Sequence, residues 1–415
     1  MKESIKKRIE AVRRGEVPEG FTRTDSGVMP EEWPNSTIGK IIVFHSEKST
    51  INNQYPVLTS ARSGLALQTE YFEDQVTREE NAGYNVIPRG YVTYRSRSDD
   101  GRFIFNQNQI VEKGIVSCFY PVFRIIEDLA DPTFVLSYLN NYLGRQIMKE
   151  IVGTSQLVLS EKKLSALRLP CPPLAEQQKI ADILSTCDRV IELKQQLLEE
   201  KRRQKRWLMQ KLMNPNGGLR LPGFKEAWTS TQFGEIVTRS KNMISAPKCK
   251  KGTRCIELEH IEGGSGRLLG YCNAETQESN KCQFSTGDIL FGKLRPYLQK
   301  ALKAPFDGVC SSEIWVLRPC LDVVCNDYLF YIVQSERFML IANTSSGTKM
   351  PRAEWSLVQN FVVELPTIAE QKAIANMLAA ADQEITLLNA ELEVWQQKKK
   401  ALMQLLLTGL VRVNA

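Results

Sequence analysis

The stretch of sequence that decides the fold is PPLAEQQKIADIL at residues 172–184, which returns as PTIAEQKAIANML at residues 366–378. The two copies are offset by 194 residues, and the same offset still relates Asp188 to Asp382 and Lys205 to Lys399. A chance match would not keep its register for nearly forty residues. The chain is therefore predicted to contain a tandem repeat, so its fold should contain the same structural unit twice.

The repeat extends upstream of these segments, but only as isolated anchors. Gly114 matches Gly308 at the same offset, and Trp33 matches Trp228 at an offset of 195. Between the anchors the two halves are nearly unrelated. This pattern predicts a repeated scaffold that carries two globular domains of different content.

Each repeated segment has the pattern of one long helix. Pro172 and Pro173 prevent the first helix from starting earlier, and Asn214-Pro215 ends it. In the second copy apolar residues hold a heptad from Ile374 to Leu406, broken only by Lys399, whereas Lys194, Lys201 and Lys205 interrupt the seam of the first. At 1.5 Å per residue each helix spans roughly 55 Å. Because an apolar stripe needs cover and the chain must return, we expect an antiparallel coiled-coil pair with a globular domain at each end.

The basic run at residues 201–206, KRRQKR, allows two interpretations. It could contact phosphates or an acidic partner. It could also be a solvated helix face whose charges pair with Glu199 and Glu200 one turn earlier. The second copy keeps only three lysines, at residues 398–400. The pattern favours the solvated face.

The globular parts alternate short β-rich runs with turns and a few helices, which is typical of an α+β domain. Helices are predicted at residues 132–150 and near residues 327–342. The predicted organisation is a prefix at residues 1–29, a first domain at 30–171, a first spacer helix at 172–214, a second domain at 215–365 and a second spacer helix at 366–408.

Composition places the chain among folded proteins and argues against several classes. Apolar residues make up 42% and charged residues 24% of 415 residues, and the net charge of +7 permits nucleic-acid contact without demanding it. No apolar run reaches the length of a membrane span, and the charged start lacks a signal peptide. We expect a cytoplasmic protein. Ten cysteines occur without any CxxC, so reduced thiols are favoured over a metal site.

Two segments resemble catalytic motifs, but neither has the features that the corresponding site requires. The segment from Gly287 to Leu294 resembles a phosphate-binding loop, but Leu294 stands where a magnesium-binding Ser or Thr is required. Asp131-Pro-Thr-Phe134 resembles a methyltransferase motif, yet Asp-Pro before a helix is typical of a cap and first turn. Only two histidines, His45 and His260, are present. The chain is predicted to be non-catalytic, with no metal and no cofactor of its own.

The order of a globular domain, an AEQ-type helix, a divergent domain and a second AEQ-type helix resembles the DNA specificity subunit of type I restriction-modification systems. GDILFGKLRPYL at residues 287–298 and GYVTY at residues 90–94 are similar to segments of that family's recognition domains. The resemblance covers nearly the whole chain. The prefix, which has no repeat partner, departs from the pattern. It is expected either to close the scaffold against the second helix or to be mobile.

The resemblance implies a subunit that binds double-stranded DNA with a bipartite site, each domain reading one half. It further implies that the helices set the spacing between the two half-sites and bind methyltransferase subunits. Two such subunits are expected. Restriction and translocase subunits can join that core. S-adenosylmethionine and ATP are then expected on the partner subunits. The predicted docking and spacer residues are Glu176, Gln177, Ile180, Leu184 and Ile191, with Glu370, Gln371, Ile374, Leu378 and Ile385 in the second copy.

Candidate DNA contacts are polar side chains in the two globular domains, because Arg can pair bidentately with guanine while cations hold phosphates. In the first domain they are Ser60, Arg62, Tyr94, Arg95 and Arg97, with Arg89 and Arg102 nearby. In the second they are His260, Lys293, Arg295, Tyr297, Lys349 and Arg352. For each, a surface charge or a contact that supports the fold is the competing interpretation.

A protein of a different class remains open at this point. The helices and both domains could form an interaction scaffold that recruits proteins and binds no nucleic acid. Salt dependence separates the two hypotheses, since a DNA reader loses affinity steeply as salt rises.

Overall fold

The structure is a computed structural model, and it describes residues 3–71, 80–150, 157–344 and 350–413, without the side chains of Tyr71, Arg145, Lys149 and Glu150. The chain divides into two compact units. Unit 1 comprises Met1–Leu193 and Leu392–Ala415, and unit 2 comprises Lys194–Glu391. Each unit is thus a globular domain together with part of both repeated segments.

Unit 1 contains a mixed set of short elements. Its helices before the first repeated segment are α1 (Glu3–Arg13), α2 (Gln68–Tyr71), α3 (Pro132–Tyr142), α4 (Gly144–Glu150) and α5 (Glu161–Ala166). Its strands are β1 (Phe21–Thr24), β2 (Gly27–Pro30), β3 (Asn35–Thr37), β4 (Ile42–His45), β5 (Leu58–Ala61), β6 (Gly64–Leu67), β7 (Asn85–Pro88), β8 (Val92–Tyr94), β9 (Arg97–Ser98), β10 (Phe105–Gln107), β11 (Lys113–Val116), β12 (Val122–Ile125), β13 (Leu157–Val158) and β14 (Arg168–Pro170).

An antiparallel sheet in the order β10-β8-β12-β4 forms the centre of unit 1. Its aromatic core includes Tyr94, Phe105 and Phe123, each at most 1% exposed. Two-stranded pairs β1-β2, β5-β6, β7-β11, β9-β13 and β3-β14 surround it. The start of α3 is capped as predicted, because Asp131 accepts a hydrogen bond from the Phe134 N–H at 2.9 Å and Pro132 occupies the first turn.

The first long helix, α6, spans Leu174–Leu212, and it contributes its last part to unit 2. The other helices of unit 2 are α7 (Phe233–Ile236), α8 (Asn326–Ile332), α9 (Glu336–Ala342) and α10 (Trp355–Val358). The second long helix, α11, spans Ile368–Leu406 and contributes its last part to unit 1. The long helices therefore form where the repeat predicts them.

The strands of unit 2 form two larger sheets and one pair. The strands are β15 (Thr229–Gln232), β16 (Val237–Arg239), β17 (Met243–Ser245), β18 (Arg254–Ile256), β19 (Cys272–Asn273), β20 (Asn280–Phe284), β21 (Ile289–Gly292), β22 (Ala301–Lys303), β23 (Gly308–Ser311), β24 (Ile314–Pro319) and β25 (Val362–Leu365). One sheet has the antiparallel order β16-β24-β21-β22. The other has the order β17-β20-β23-β18-β19, with β18 and β23 parallel.

Single turns of 3₁₀ helix complete both units. Unit 1 has one at Ile38–Lys40, and unit 2 has turns at Ala246–Lys248, Leu258–His260, Ala274–Thr276 and Pro296–Leu298. The predicted α+β class with two long helices is confirmed. The segment that imitates a phosphate-binding loop forms β21 instead, with Ile289, Leu290 and Phe291 fully buried.

Within each unit the parts of the two long helices run antiparallel. In unit 2, Lys194 pairs with Glu391 at 2.6 Å and Lys201 pairs with Glu384 at 2.7 Å. In unit 1, Lys399 pairs with Asp188, and Lys205 makes the repeat-related pair with Asp382 in unit 2. The lysines that interrupt the apolar seams are thus the residues that link one helix to the other.

The basic run follows the solvated-face interpretation. Arg202 pairs with Glu199 at 3.0 Å and Arg203 pairs with Glu200, both at i,i+3 spacing on α6. Together with the pairs of Lys201 and Lys205, these contacts use four of the five charges of the run inside unit 2.

The prefix packs against the end of the second long helix within unit 1. Met29 is 2% exposed and lies in one cluster with Leu406 and Leu407. Gly409 adopts φ +69°, and a Cβ built there would lie 2.5 Å from the Pro30 ring. Of the two roles expected for the prefix, closure against the second helix fits these contacts.

None of the helices in the described part of the chain combines the length and the apolar character that a membrane span needs.

Candidate nucleic-acid interface

The first candidate surface consists of Ser60, Arg62, Arg95 and Arg97 in unit 1. Ser60, on β5, accepts a hydrogen bond from Asn106 Nδ2 at 2.8 Å. The exposed guanidinium of Arg62 lies 2.5 Å from Asp100 Oδ2. Asp100 also accepts from Ser98, the residue after Arg97. Through Asp100 these contacts bring Arg62 close to the segment that carries Arg97.

The cations of this surface are held in different ways. The Arg102 N–H and the Arg62 guanidinium both donate to Asp100 and hold the pKa of its carboxyl below its usual range. The Arg97 guanidinium lies 4.5 Å from the centroid of the Phe119 ring, which is 50% exposed. Burial raises the pKa of Tyr120, and the nearby charge of Arg95 opposes that rise. Arg95 and Arg97 remain exposed cations.

Tyr94 is a correction to the prediction. Its side chain is 0% exposed, its hydroxyl donates to the Leu159 carbonyl oxygen at 3.1 Å, and its ring packs on Phe105. Burial raises the pKa of the phenol. All three residues of β8 are buried, so Tyr94 lies in the core, where it supports the fold and cannot reach a duplex. Arg89 binds Glu112 at 2.6 Å and the Gln109 carbonyl at 2.8 Å, so it braces a turn.

The second candidate surface consists of Lys293, Arg295, Tyr297 and Arg352 in unit 2. The backbone brings them together: Lys293 N donates to Glu313 O at 2.9 Å, and Arg295 N donates to Pro351 O at 2.8 Å. A β-bridge joins Leu294 to Arg352. Residues more than fifty positions apart in sequence therefore share one site.

The turn between β21 and β22 carries this surface outward. Arg295 has φ +50° and Gln299 has φ +52°, so two non-glycine residues in the left-handed region flank the Pro296–Leu298 turn. Such conformations are strained and are found most often at functional sites. Tyr297 is 54% exposed at the tip. The turn thus presents an aromatic ring and a cation to solvent.

Arg352 is less available than the sequence implied. Its guanidinium makes two hydrogen bonds with Glu313, at 3.1 and 3.3 Å, and the pair raises the pKa of Arg352. Glu313 also brings a carboxylate to this surface, beside the predicted basic residues. A carboxylate repels phosphate groups but can accept hydrogen bonds from base edges. The site therefore suits a partner that offers donors as well as phosphates.

His260 lies beside the turn, in the 3₁₀ segment Leu258–His260. Its Nδ1 accepts a hydrogen bond from Glu257 N at 3.0 Å. Lys300 Nζ donates to the Leu258 carbonyl oxygen at 2.6 Å, tying this segment to the end of the turn. The remaining predicted residue, Lys349, lies outside the described residues.

The predicted docking residues at the start of each long helix are corrected as well. Glu176, Gln177, Glu370 and Gln371 are all at most 2% exposed, and so are Ile180, Leu184, Ile374 and Leu378. Their side chains are used within their own unit and are not available to a partner. Ile191 and Ile385 are half-buried.

The buried Glu and Gln of the AEQ motif make the same contacts in both units. Glu176 holds Arg412 at 2.7 and 2.8 Å, and Glu370 holds Arg220 at 3.0 and 2.9 Å. Each arginine follows the end of the other long helix.

The glutamines form hydrogen bonds with the backbone of the globular domains. Gln177 Oε1 accepts from Asp131 N at 3.0 Å, and Gln371 Oε1 accepts from Cys325 N at 3.0 Å. Asp131 and Cys325 are themselves related by the repeat. The motif therefore joins each helix to its domain.

The structure places further polar residues beside the candidates that were not predicted from the sequence. Besides Asn106, Gln107 is half-buried and Gln109 is exposed on the same strand end, whereas Asn108 is fully buried. The amide run NQNQ at residues 106–109 was a usable signal, since amides pair with adenine. Glu313 carried no such signal, because only folding brings it to Arg352.

Within the described ranges, no three His, Cys, Asp or Glu side chains are grouped so that they could hold a metal ion.

Comparison with known proteins identifies the family. The family model for the type I restriction modification DNA specificity domain matches twice, at residues 30–201 and 225–394. The chain is 24% identical over 433 residues to the type I restriction enzyme MjaVIII specificity subunit of Methanocaldococcus jannaschii, covering 95% of this chain and 97% of that protein. It is 24% identical over 387 residues to the EcoDI specificity subunit of Escherichia coli, covering 84% and 81%.

Solved structures share the fold. A chain from a structure describing complex assembly and conformational transition of the type I R-M system matches with a TM-score of 0.54 at 16% identity, over 92% of this chain and 99% of that one. The S subunit of M. genitalium matches with a TM-score of 0.53 at 15% identity, over 90% and 96%. With both of its halves matched by the same family model, this chain belongs to the type I restriction modification DNA specificity domain family.

Proposed function

We propose that this chain is the sequence-specific DNA-binding subunit of a type I restriction-modification complex, and that it has no catalytic activity itself. The observation that carries the proposal is the double family match, one match in each globular half. Two domains of one family with different polar surfaces suit a target read in two unlike halves. Such a subunit acts in the cytoplasm, where it meets DNA.

The two candidate surfaces supply the chemistry that reading requires. Arg95, Arg97 and Arg295 are exposed cations that can hold phosphates or guanine edges. Gln107 and Gln109 add amides in the first domain, and Glu313 adds an acceptor in the second. Because the sets differ, each domain is expected to read its own base sequence.

The long helices suit the spacing and docking roles. Large apolar side chains stay exposed on them: Leu193 (46%), Leu197 (43%) and Trp207 (49%) on α6, and Met377 (41%), Leu387 (59%) and Val394 (47%) on α11. Exposed apolar groups along a helix favour a protein partner. We propose that methyltransferase subunits, two of them, dock on these exposed faces rather than on the buried AEQ residues. Restriction and translocase subunits would join that core, and S-adenosylmethionine and ATP would bind to the partners.

The interaction scaffold is the competing function, and a binding experiment separates the two. The full chain with its methyltransferase partner is titrated with a DNA duplex that carries the methylated motif, found by long-read sequencing with and without this chain. Steep loss of affinity with rising salt and a preference for the motif are expected. Binding without sequence preference, or no gene-dependent motif when the partner is active, would overturn the proposal.

A matched pair of variants tests the surface. Arg295→Ala is expected to weaken binding and to reduce the slope of log affinity against log salt by about one. Arg203→Ala removes another exposed arginine, one that is paired with Glu200 on α6, and it should leave the slope unchanged. Equal effects of the two variants would count against the second candidate surface.

A further inference from the structure

Four cysteines face each other in pairs across the five-stranded sheet of unit 2. Cys282 on β20 lies directly opposite Cys310 on β23, and Cys255 on β18 lies directly opposite Cys272 on β19. Both pairs belong to antiparallel ladders. The pairs have different surroundings, since Cys282 and Cys310 belong to one apolar cluster and Cys255 belongs to another, with Cys272 packed against it.

This register matches the geometry of a disulfide. Directly opposite residues of an antiparallel pair have Cα atoms about 4.5–5.5 Å apart. Disulfides join Cα atoms about 4.4–6.8 Å apart. A bond across either pair therefore requires rotation of side chains without displacement of the strands.

The two pairs differ in their chemistry. A hydrogen bond from the Cys310 thiol lowers the pKa of Cys282, against the opposing effect of burial. The same hydrogen bond, together with burial, raises the pKa of Cys310. Burial, followed by the charge of Glu257, raises the pKa of Cys255. The neutral Cys282 thiol donates to the Ser240 carbonyl oxygen at 3.8 Å, a weak contact for a sulfur donor. Cys282 is thus the cysteine of these three that ionises most readily.

We propose that Cys282 and Cys310 form an oxidisable pair that closes to a disulfide when the folded protein meets hydrogen peroxide. Cys282 is 4% exposed and Cys310 is 0% exposed, so only a small oxidant can reach them. The Cys255–Cys272 pair has the same cross-strand arrangement and reacts more slowly, because its buried thiol is held in the protonated form.

The reaction balances with one peroxide. The Cys282 thiolate attacks one oxygen of hydrogen peroxide, breaking the O–O bond to give a sulfenic acid and hydroxide. The Cys310 sulfur then attacks the Cys282 sulfur and expels the sulfenic oxygen as a second hydroxide. The two thiol protons convert the hydroxides to water, so two thiols and one peroxide yield one disulfide and two waters.

The bond would close a loop that contains three of the four residues of the second candidate surface. The chain between the two cysteines includes β21, the Pro296–Leu298 turn and β22, and with them Lys293, Arg295 and Tyr297. A cross-link that closes this loop restricts the unfolded chain and stabilises the folded sheet. We expect the urea midpoint of unit 2 to rise on oxidation and to return after treatment with dithiothreitol.

The test uses the full chain in which the exposed Cys118 and Cys320 are replaced by serine to prevent links between molecules. The folded protein is treated with hydrogen peroxide, quenched, alkylated and digested without reductant for mass spectrometry. A Cys282–Cys310 peptide pair is expected. It should be lost in Cys282→Ser and in Cys310→Ser, and retained in a Cys255→Ser/Cys272→Ser control.

A trapping experiment detects the sulfenic acid intermediate directly and does not depend on both serine variants folding well. Folded Cys310→Ser is treated with hydrogen peroxide, freed of the oxidant with catalase and then unfolded in urea that contains dimedone, which should label a sulfenic acid at Cys282. After the same treatment Cys310 should stay unlabelled in Cys282→Ser. In the parent chain, equal or faster oxidation of Cys255–Cys272 would overturn the proposal. So would a Cys282–Cys310 bond that appears only after the protein is unfolded in urea.

Discussion

At the residue scale, the repeat-related carboxylates of Glu176 and Glu370 have the same role: each is buried and paired with an arginine. A buried carboxylate is unfavourable unless it is paired and hydrogen-bonded. Glu176 meets this condition through Arg412 and the Trp33 indole N–H, at 3.3 Å, and Glu370 meets it through Arg220. The segment that follows the end of one long helix is therefore held at the start of the other.

Removing the partner of Glu176 tests this role. Arg412→Ala leaves a carboxylate that is 3% exposed with only weaker donors, so the free energy of unfolding of unit 1 should fall by about 2–4 kcal/mol. Urea unfolding of the full chain measures the change. Arg189→Ala, which breaks an exposed i,i+3 pair with Glu192, should lower it by less than about 0.5 kcal/mol.

The combined variant sharpens this test. Glu176→Gln added to Arg412→Ala removes the unpaired charge and should recover part of the lost stability. If Arg412→Ala destabilised the protein no more than Arg189→Ala, the buried pair would have no structural role.

The long helices show at the element scale how register is set. An apolar heptad seam alone permits helices to slide by a heptad. Lys194, Lys201 and Lys205 bind acidic residues of α11 in unit 2, and Lys399 binds Asp188 in unit 1. Charged pairs at these positions favour one alignment, at the expense of a continuous apolar seam.

A charge exchange measures this contribution. Lys201→Glu places a carboxylate opposite Glu384 and should lower the unfolding free energy of unit 2 by about 0.5–1 kcal/mol, since the pair is only partly shielded from solvent. The double variant Lys201→Glu/Glu384→Lys should restore most of it. The difference should shrink in high salt. A double variant as unstable as the single one would argue against a direct pair.

At the scale of the whole molecule, two different domains share one repeated helical scaffold. The double family match and the divergent polar surfaces suit a reader of two half-sites. In this proposal the base sequence of each half depends on a domain, while the distance between the halves depends on the helices.

Lengthening both helices tests the spacing role. Insertion of seven residues after Leu193 in α6 and after Glu391 in α11 keeps the heptad and adds roughly 10 Å at 1.5 Å per residue. At about 3.4 Å per base pair, the gap between half-sites should grow by about three base pairs while both half-sites stay the same. Long-read methylation sequencing reads the motif directly. An unchanged gap in an active complex would refute the spacing role.

Much of the fold was predictable because its signals are local. A helix seam repeats every three or four residues, so α6 and α11 could be placed to within about two residues from the pattern. The Asp131 cap was predictable for the same reason. The candidate site was only partly predictable, since Arg62, Arg97 and Arg295 are exposed but Tyr94 is buried.

The sequence by itself determined the tandem repeat, the two long helices and the division into two unlike domains, because periodicity and self-similarity can be read directly along the chain. Only the tertiary structure decided that Glu176 and Gln177 face inward, that the seam lysines pair between helices, and that Glu313 binds Arg352. Burial and ion pairing depend on which distant segments pack together. A pattern along the chain does not contain that information.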